Sequence, residues 1–280
     1  MLIQDIEKIL LEVGIEPNEA KVEVKMLIEH FAGYTLTDIV MGKKLEESKL
    51  ELVAQKAKLR AHSRQPIQYI IGLADFMGEK FIVNPSVLIP RDETELLVRQ
   101  ADKIIKENKF KNIMDMATGS GCIACMLGKM NDDIHVMGVD ISTEALHVAI
   151  SNMEKLSLFN KATFRKSDLF SKIREDEKFD MIVSNPPYIP PSEKNNIQKE
   201  VSFEPDLALF TNDSNGLEFY EKITKTAPKY LNDGGYLIYE LGIGQSHDVA
   251  QIMKESGFSD IQILKDLAGI DRVIWGEYSA

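Results

Sequence analysis

Apolar residues recur every three to four positions through the first 72 residues, which is the spacing of amphipathic helices. Glycines separate the runs, and the longest run carries Leu50, Val53 and Ala57 along one inward stripe. The pattern predicts an all-helical N-terminal domain over residues 1–72. Its helices are expected before Gly14, from Pro17 to just before Gly33, after a cap at Thr37 and Asp38, and from about Glu46 to His62.

The spacing of apolar residues changes at residue 73. Phe76, Phe81 and Val83 alternate around a turn at Gly78, which predicts a small β-hairpin that links two domains over residues 73–88. From Ile89 onward, strand-like runs alternate with helical runs to the end of the chain. Such alternation is typical of a parallel sheet with helices on both faces.

The predicted fold class is therefore α/β, with a seven-stranded Rossmann-like sheet over residues 89–280. The last two strands follow each other closely enough to pair antiparallel. The predicted strands are Asn112–Met116, His135–Val139, Ala162–Lys166, Asp180–Ser184, Gly235–Leu241, Ile261–Lys265 and Arg272–Gly276.

The fourth predicted strand is followed by Asn185, Pro186, Pro187 and Tyr188. Ligands of open α/β sheets bind beyond the carboxyl ends of the strands. The side-chain oxygen of Asn185 and the carbonyl oxygen of Pro186 offer two fixed acceptors, because proline has no N–H that competes. Such a pair suits both hydrogens of a planar –NH2 group, with the ring of Tyr188 over its face. The segment predicts a site for an amine or amide; the alternative is an ordinary proline-rich turn.

A glycine-containing loop follows the first predicted strand and opens a helix. Its residues are Ala117, Thr118, Gly119, Ser120 and Gly121, and they present backbone amides to a ligand at the helix N-terminus. Asp140 ends the second strand, where an acid can bind ribose hydroxyls. These features fit a nicotinamide dinucleotide as well as S-adenosylmethionine.

Three further features favour S-adenosylmethionine. Asp115, at the start of the loop, suits the cationic amino end of a methionine moiety better than a pyrophosphate. The Asn-Pro-Pro-Tyr segment has no use in hydride transfer, and the terminal antiparallel strands depart from the usual dinucleotide-binding order. Asp168 and Leu169 then supply a polar and an apolar group where an adenine would lie, although Asp168 is equally explained as the cap of a turn.

Composition excludes several functional classes. The 280 residues are 44% hydrophobic and 28% charged, as in a globular protein with a substantial core. No apolar run approaches the roughly 18 residues of a membrane span, and no signal-peptide pattern opens the chain, so we expect a cytoplasmic protein. The net charge of −11 argues against stable nucleic-acid binding through broad phosphate neutralisation.

Two local features carry weaker signals. Residues 43–64 are locally basic, which predicts a solvated helix face or a patch for an acidic partner. Cys122 and Cys125 have the C-x-x-C spacing of dithiol redox centres. Because they lie in a glycine turn and an apolar helix that need small buried residues, we predict neither a redox centre nor a metal site.

With these motifs, the chain resembles the HemK/PrmC family, bacterial methyltransferases that modify the glutamine of peptide-chain release factors. Asn-Pro-Pro-Tyr alone is shared with adenine and guanine amine methyltransferases. Its combination with the block Pro90-Arg91-Asp92-Glu93-Thr94-Glu95 and a helical N-terminal domain is more specific. Ala117 and Asp92 depart from the family's usual glycine and proline. The resemblance also covers Gln65–Gly72, Phe76, Val87–Ile89, Thr118–Ala124, Phe203–Pro205 and Gly269–Arg272.

The resemblance implies a class I methyltransferase sheet with S-adenosylmethionine bound by loop 117–121, Asp140 and the segment around Leu169. It implies that Asn185 to Tyr188 hold the substrate glutamine, with Asn185, Pro186 and Tyr188 catalytic and Asn185 also beside the cofactor. The partners would be class 1 release factors, gripped in part by the helical domain. Residues 200–205 would either flank the pocket mouth or buttress a loop. We expect a monomer.

Two other functions stay open from the residues. A nucleic-acid exocyclic-amine methyltransferase would use the same acceptor pair on a flipped base, but it calls for a basic groove and a target-reading insert that the sequence does not display. A non-catalytic module that merely binds S-adenosylmethionine would have no need of an intact Asn-Pro-Pro-Tyr segment.

Overall fold

The computed structural model describes residues 2–279, and the chain divides into two units. The first contains the chain up to Gly72 together with Gln198–Phe203, and the second contains Leu73–Ile197 and the chain from Glu204 onward. The sequence did not indicate that Gln198–Phe203 groups with the N-terminal helices. Met1 and Ala280, the outer ends of the predicted domains, lie outside the described residues.

The first unit is helical, as its apolar spacing predicts. Ile6, Leu10, Val24, Leu27 and Val53 are fully buried at its centre. The helix from Pro17 continues through a π-helical turn, Ile28–Ala32, to Gly33. The α-helices are α1 (Ile3–Leu11), α2 (Pro17–Leu27), α3 (Leu36–Val40), α4 (Glu47–Ser63) and α5 (Ile67–Ile71).

The cap of the short third helix lies two residues earlier than predicted. Thr35, not Thr37, is the N-cap: its Oγ1 accepts a hydrogen bond from the Asp38 amide at 3.2 Å. The Asp38 carboxylate accepts one from the Thr35 amide at 3.0 Å in return. This reciprocal arrangement is a capping box, so Asp38 acts as its third helical residue rather than as the cap.

Arg60 corrects the interpretation of residues 43–64 as a solvated face. It follows Ala57 by three residues and therefore shares the inward stripe of α4, where it is 1% exposed. Its guanidinium donates to the buried carboxylate of Glu23 at 2.9 Å and to that of Glu200 at 3.0 Å. The stretch thus combines an exposed face, which includes Lys58, with one buried ion pair.

The hairpin belongs to the second unit. Its strands are β1 (Leu73–Phe76) and β2 (Glu79–Ile82), and Phe76 and Phe81 are buried in the core of that unit. The fully buried side chain of Asn152 accepts a hydrogen bond from the Ile82 amide at 2.6 Å and donates to the Ile82 carbonyl at 3.0 Å. These bonds satisfy the edge of the hairpin and join it to the sheet domain.

A seven-stranded sheet forms the centre of the second unit, which confirms the predicted strand count. Its order is β5-β4-β3-β6-β7-β9-β8, with β9 antiparallel to both neighbours and the remaining pairs parallel. The strands are β3 (Asn112–Met116), β4 (His135–Asp140), β5 (Ala162–Lys166), β6 (Phe179–Ser184), β7 (Leu231–Glu240), β8 (Phe258–Lys265) and β9 (Asp271–Tyr278).

Alternate residues of the central strands bury two cores. Ile113, Val183 and Ile238 lie in one core, and their sequence neighbours Met114 and Leu237 lie in the other. This two-residue period places helices on both faces of the sheet. The helices are α6 (Asp92–Asn108), α7 (Cys122–Met130), α8 (Thr143–Lys155), α9 (Asp206–Leu209), α10 (Glu218–Thr226) and α11 (Ser246–Glu255).

Strands β7 and β8 begin well before the residues that their sequence pattern suggests, whereas β6 and β9 begin one residue early. Strand β7 starts at Leu231, because the chain continues in the sheet through an irregular register between β6 and β7, with Gly234 at a φ of +75°. Strand β8 starts at Phe258 and passes a bulge at Asp260, whose φ is +47°. Glycines and polar residues at these positions imitate the signature of a turn.

Candidate active site

A pocket opens at the carboxyl ends of β3, β4 and β6, where the strand order switches direction. Strand β3 has β4 on one side and β6 on the other, so the loops that follow these strands diverge and leave a crevice. The predicted site residues that line it are Ala117, Thr118, Gly119, Ser120, Asp140, Asp168, Leu169, Asn185, Pro186 and Pro187.

The loop after β3 is held in a left-handed conformation that leaves space above it. Ala117 has a φ of +60° and Gly119 a φ of +54°, and a Cβ at Gly119 would meet nothing within 4 Å. A left-handed alanine costs roughly 1–2 kcal/mol, so the backbone at Ala117 carries strain. The open space above Gly119 suits a ligand that lies directly on the backbone.

Asp140 ties the loop to the end of β4. Its Oδ2 accepts a hydrogen bond from the Gly119 amide at 2.9 Å, and its Oδ1 accepts one from the Ser142 amide at 2.9 Å. Burial raises the pKa of this carboxyl, although the backbone amides that it accepts oppose the shift. Each carboxylate oxygen retains a lone pair beyond these bonds, so Asp140 can also accept hydrogen bonds from ligand hydroxyls.

Asp115 lies beneath the loop instead of in the pocket wall. Its Oδ2 accepts hydrogen bonds from the Thr118 hydroxyl and the Ala124 amide. Its Oδ1 is buried and has no hydrogen-bond partner among the described residues. Burial raises the pKa of Asp115 to about 7. An unpartnered buried oxygen is costly, and it is the kind of acceptor that a cationic amino group needs.

Gly121 has a packing role in this structure. It lies at a φ of +76°, and a Cβ there would approach the Cβ of Ala149 to 2.9 Å. The glycine therefore lets α8 pack against the start of α7, and Gly121 is not among the residues that line the pocket.

Asp168 and Leu169, which follow β5, close the pocket on the side opposite the Asn-Pro-Pro segment. Leu169 has a φ of +45°, and its carbonyl accepts a hydrogen bond from the Ser167 hydroxyl at 2.6 Å. Asp168 is exposed at the pocket rim. The turn thus presents one apolar and one acidic side chain to the same crevice.

Asn185 is the first residue after β6 and is half-buried. Its Nδ2 donates to the hydroxyl of Thr94 at 3.3 Å, and that hydroxyl donates to the Glu240 carboxylate at 2.6 Å. Thr94 and Glu240 were absent from the predicted site. Thr94 lies in the block Pro90 to Glu95, and Glu240 is an acid at the end of an apolar strand, which is the signal that sequence reasoning passed over.

Tyr188 lies behind the acceptor segment. Its backbone carbonyl accepts a hydrogen bond from Gln245 Nε2 at 3.0 Å, and its ring lies 2.9 Å from the position that a Cβ at Gly242 would take. Burial raises the pKa of the Tyr188 hydroxyl. Tyr188 does not line the pocket, so the face-covering role predicted for its ring is not displayed in this conformation.

The segment over residues 200–205 divides between the two units. Glu200 pairs with Arg60 and Arg64 inside the helical unit. Glu204, in the sheet unit, accepts hydrogen bonds from the Ile89 amide at 3.1 Å and from Arg91. Pro205 is the member of this segment that lines the pocket. The contacts of Glu200 and Glu204 are those of a buttressed loop.

The two cysteines are buried, and burial raises the pKa of Cys122 to about 12. A thiol with so high a pKa is a poor nucleophile at neutral pH.

Comparisons with known proteins place this fold and site in context. A family model described as "Methyltransferase small domain" matches residues 92–203. A release factor glutamine methyltransferase from Geobacter sulfurreducens is 39% identical over 95% of this chain and 92% of that protein. One from Bacteroides thetaiotaomicron is 38% identical over 92% of both chains.

The chain belongs to the release factor glutamine methyltransferase family. A third relative of that name, from Fusobacterium nucleatum, is 40% identical over 84% of this chain. That relative is the longer protein, since the match covers 66% of its length. The predicted membership of the HemK/PrmC family, which comprises these enzymes, is thereby confirmed.

Solved structures agree on the fold of this family member. A methyltransferase from Pyrococcus furiosus superposes with a TM-score of 0.52 at 16% identity, over 73% of this chain and 91% of that chain. A 16S rRNA N2 G1207 methyltransferase from T. thermophilus, solved with AdoMet and guanosine, gives 0.53 at 19% identity, over 74% of this chain and 49% of that chain. They confirm the predicted class I methyltransferase sheet.

Proposed function

We propose that this protein transfers a methyl group from S-adenosylmethionine to the side-chain amide nitrogen of the glutamine in the Gly-Gly-Gln motif of class 1 peptide-chain release factors. The observation that carries the proposal is the placement of Asn185 and Pro186 in the wall of the pocket that the glycine loop also lines. An amide acceptor pair and a backbone cradle for a cofactor thus face one crevice, in a chain whose relatives bear the name of this activity.

The pocket residues suit S-adenosylmethionine. Asp140 would accept hydrogen bonds from the ribose hydroxyls, the loop over residues 117–121 would lie along the ligand, and Leu169 would contact the adenine. Thr118 and Ser120 line the pocket, and a shift of this loop would expose the unpartnered oxygen of Asp115 to the amino group of the ligand. S-adenosylmethionine supplies an electrophilic methyl group on a sulfonium.

The protein's own contribution is to make an amide nitrogen nucleophilic. The lone pair of an amide nitrogen is delocalised into its carbonyl group. Hydrogen bonds from its two hydrogens to Asn185 Oδ1 and the Pro186 carbonyl return electron density to nitrogen and orient its lone pair. Positioned acceptors of this kind act through orientation and fixed dipoles. A strong base is unnecessary, because the alkylated amide loses its proton readily.

The helical unit is proposed to contact the release factor. Its exposed side includes lysines of α4 such as Lys58, which lie on the surface of the unit that the sequence interpretation assigned to substrate recognition. The cytoplasmic location and monomeric state stay predictions. No helix among residues 2–279 is both long and apolar enough to cross a bilayer.

Labelled cofactor should transfer its methyl group to an intact class 1 release factor and not to one in which Gly-Gly-Gln is changed to Gly-Gly-Ala. The alanine version keeps the loop backbone but lacks the amide that the acceptor pair holds. Scintillation counting of the separated release factor measures the transfer, and mass spectrometry of the loop peptide locates it. Equal labelling of both versions would argue against glutamine as the target. Labelling of DNA or RNA in the same assay would favour the nucleic-acid amine methyltransferase instead.

Asp140→Ala should weaken cofactor binding while release-factor docking stays nearly unchanged. The change removes charge-assisted hydrogen bonds to ribose, worth about 1.5–3 kcal/mol or about 10- to 150-fold in Kd. Calorimetry with S-adenosylmethionine measures the loss. Asp140→Asn is the matched variant, because its oxygen can still accept from the Gly119 amide; its loss should be smaller. Parental affinity in the alanine variant would show that this acid does not bind the cofactor.

A further inference from the structure

Asn185, Thr94 and Glu240 form a chain of hydrogen bonds behind the pocket wall. Asn185 Nδ2 donates to Thr94 Oγ1 at 3.3 Å, and Thr94 Oγ1 donates to Glu240 Oε2 at 2.6 Å. Thr94 is 2% exposed and Glu240 is 3% exposed. The three residues are distant in sequence, and each comes from a different element: the end of β6, the first turn of α6 and the end of β7.

The sheet register explains why Asn185 and Glu240 meet. Ser184 of β6 pairs with Tyr239 of β7 in parallel register, so the next residue of each strand is Asn185 and Glu240. Side chains at paired positions point to the same face of a sheet. The first turn of α6 covers that face and inserts Thr94 between them, where it also lines the pocket.

The directions of these bonds decide which end of the Asn185 amide faces the pocket. A threonine hydroxyl has a single proton, and the short bond to Glu240 uses it. Thr94 Oγ1 can therefore only accept from Asn185, and an acceptor selects Nδ2 over Oδ1. The amide oxygen is left free for another partner.

We propose that Thr94 and Glu240 are positioning residues, which turn the amide of Asn185 so that its oxygen, and not its –NH2 group, faces the substrate nitrogen. This proposal rests on the proposed function, in which Asn185 Oδ1 accepts from the substrate amide. Without the two residues the Asn185 amide has no preference between its two orientations, which exchange the positions of Oδ1 and Nδ2. In the reversed orientation an –NH2 group meets the –NH2 group of the substrate, and one of the two acceptors is lost.

The burial of Glu240 supports a functional reason for its presence. Among residues 2–279 it makes no ion pair within 4.0 Å, and the nearby guanidinium of Arg272 pairs with Asp266 at 2.9 Å. Burial raises the pKa of Glu240 to about 7. A buried carboxyl without a counter-charge lowers the stability of the fold. The hydrogen bond that Glu240 accepts does not offset this cost, so stabilisation of the fold does not explain the residue.

Thr94→Val tests the orientation, since valine keeps the shape of threonine and removes its hydroxyl. We expect kcat on a release factor with intact Gly-Gly-Gln to fall about 10- to 100-fold, with KM and the Kd of S-adenosylmethionine within a few-fold of the parent. Assays at pH 8 keep Glu240 ionised. Thr94→Ser restores the hydroxyl and should recover kcat to within about threefold. Parental kcat in the valine variant, or no recovery in the serine variant, overturns the proposal.

Thr224→Val is the matched control. Thr224 is also fully buried, and its Oγ1 lies 2.9 Å from the hydroxyl of Tyr239, but it lies outside the pocket wall. It should lower the melting temperature and leave kcat unchanged. If kcat falls in this control as far as in Thr94→Val, loss of any buried hydroxyl explains the result and the proposal fails.

Glu240→Leu provides a second variant in case Thr94→Val does not fold. Leucine accepts no hydrogen bond, so the hydroxyl proton of Thr94 becomes free to select Asn185 Oδ1 and reverse the amide. We expect kcat to fall by about tenfold, and a folded Glu240→Leu protein with parental kcat contradicts the proposal. The parent separates the two claims: if it does not methylate the release factor, the proposed function fails; if it does and the variants match it, the positioning role fails alone.

Discussion

Asn185→Ala is expected to lower the rate of methyl transfer by about a hundredfold or more, as when one oriented hydrogen-bonding partner of a transition state is lost. The change removes one of the two acceptors for the substrate amide. It leaves the cofactor loop and Asp140 in place, so the Kd of S-adenosylmethionine should stay within a few-fold. Single-turnover kinetics with a release factor in excess separates the transfer step from binding.

Pro186→Ala is the control for that experiment. The working atom of Pro186 is its backbone carbonyl oxygen, which survives the substitution. Without the proline ring the chain has more conformational freedom, so the loop is held less firmly. The rate should therefore fall less than in Asn185→Ala. If Asn185→Ala transfers methyl groups at the parental rate, or if Pro186→Ala is the more damaging change, the two-acceptor mechanism is wrong.

The elements that the sequence predicted well are those whose signal is local. Strand β3 begins and ends at the predicted residues, Asn112 and Met116, because an apolar run is bounded by a polar residue and a glycine loop. Asn185 follows β6 directly, as expected from a strand that runs into two prolines. Once a parallel sheet is inferred, the rule that loops at carboxyl ends form the site brings Asn185 and Asp140 to one pocket.

The features that were missed depend on contacts between distant residues. The Thr94 hydroxyl and the Glu240 carboxylate are separated by 146 positions, and only the register of β6 and β7 brings Glu240 beside Asn185. Arg60 was assigned to solvent by its charge, although its spacing from Ala57 placed it on the inward stripe. A single sequence does not reveal that the buried carboxylate of Glu23 pairs with Arg60. Side-chain charge and helical phase disagreed there, and the phase was the better guide.

Arg60→Ala should destabilise the helical unit by about 3–5 kcal/mol, because it leaves the carboxylate of Glu23 buried without its partner. Glu23 is 4% exposed, and burial already raises its pKa despite the guanidinium beside it. Glu200 loses one of its two arginines as well. Hydrogen exchange resolved by mass spectrometry measures the effect region by region. Amides of α2 and α4 should exchange about 150- to 5,000-fold faster, while those of the central strands keep their protection.

Two variants decide whether the uncompensated charge causes the loss. Lys58→Ala removes a cation from the same helix at an exposed position, and should change exchange very little, since exposed charges contribute about 0–1 kcal/mol. The double variant Arg60→Met with Glu23→Leu removes both charges and fills the space with apolar side chains, which often restores stability. We expect it to exchange more slowly than Arg60→Ala. If Arg60→Ala and the double variant exchange equally fast, Arg60 stabilises the unit through its packing and its bond to Glu200 rather than by neutralising Glu23.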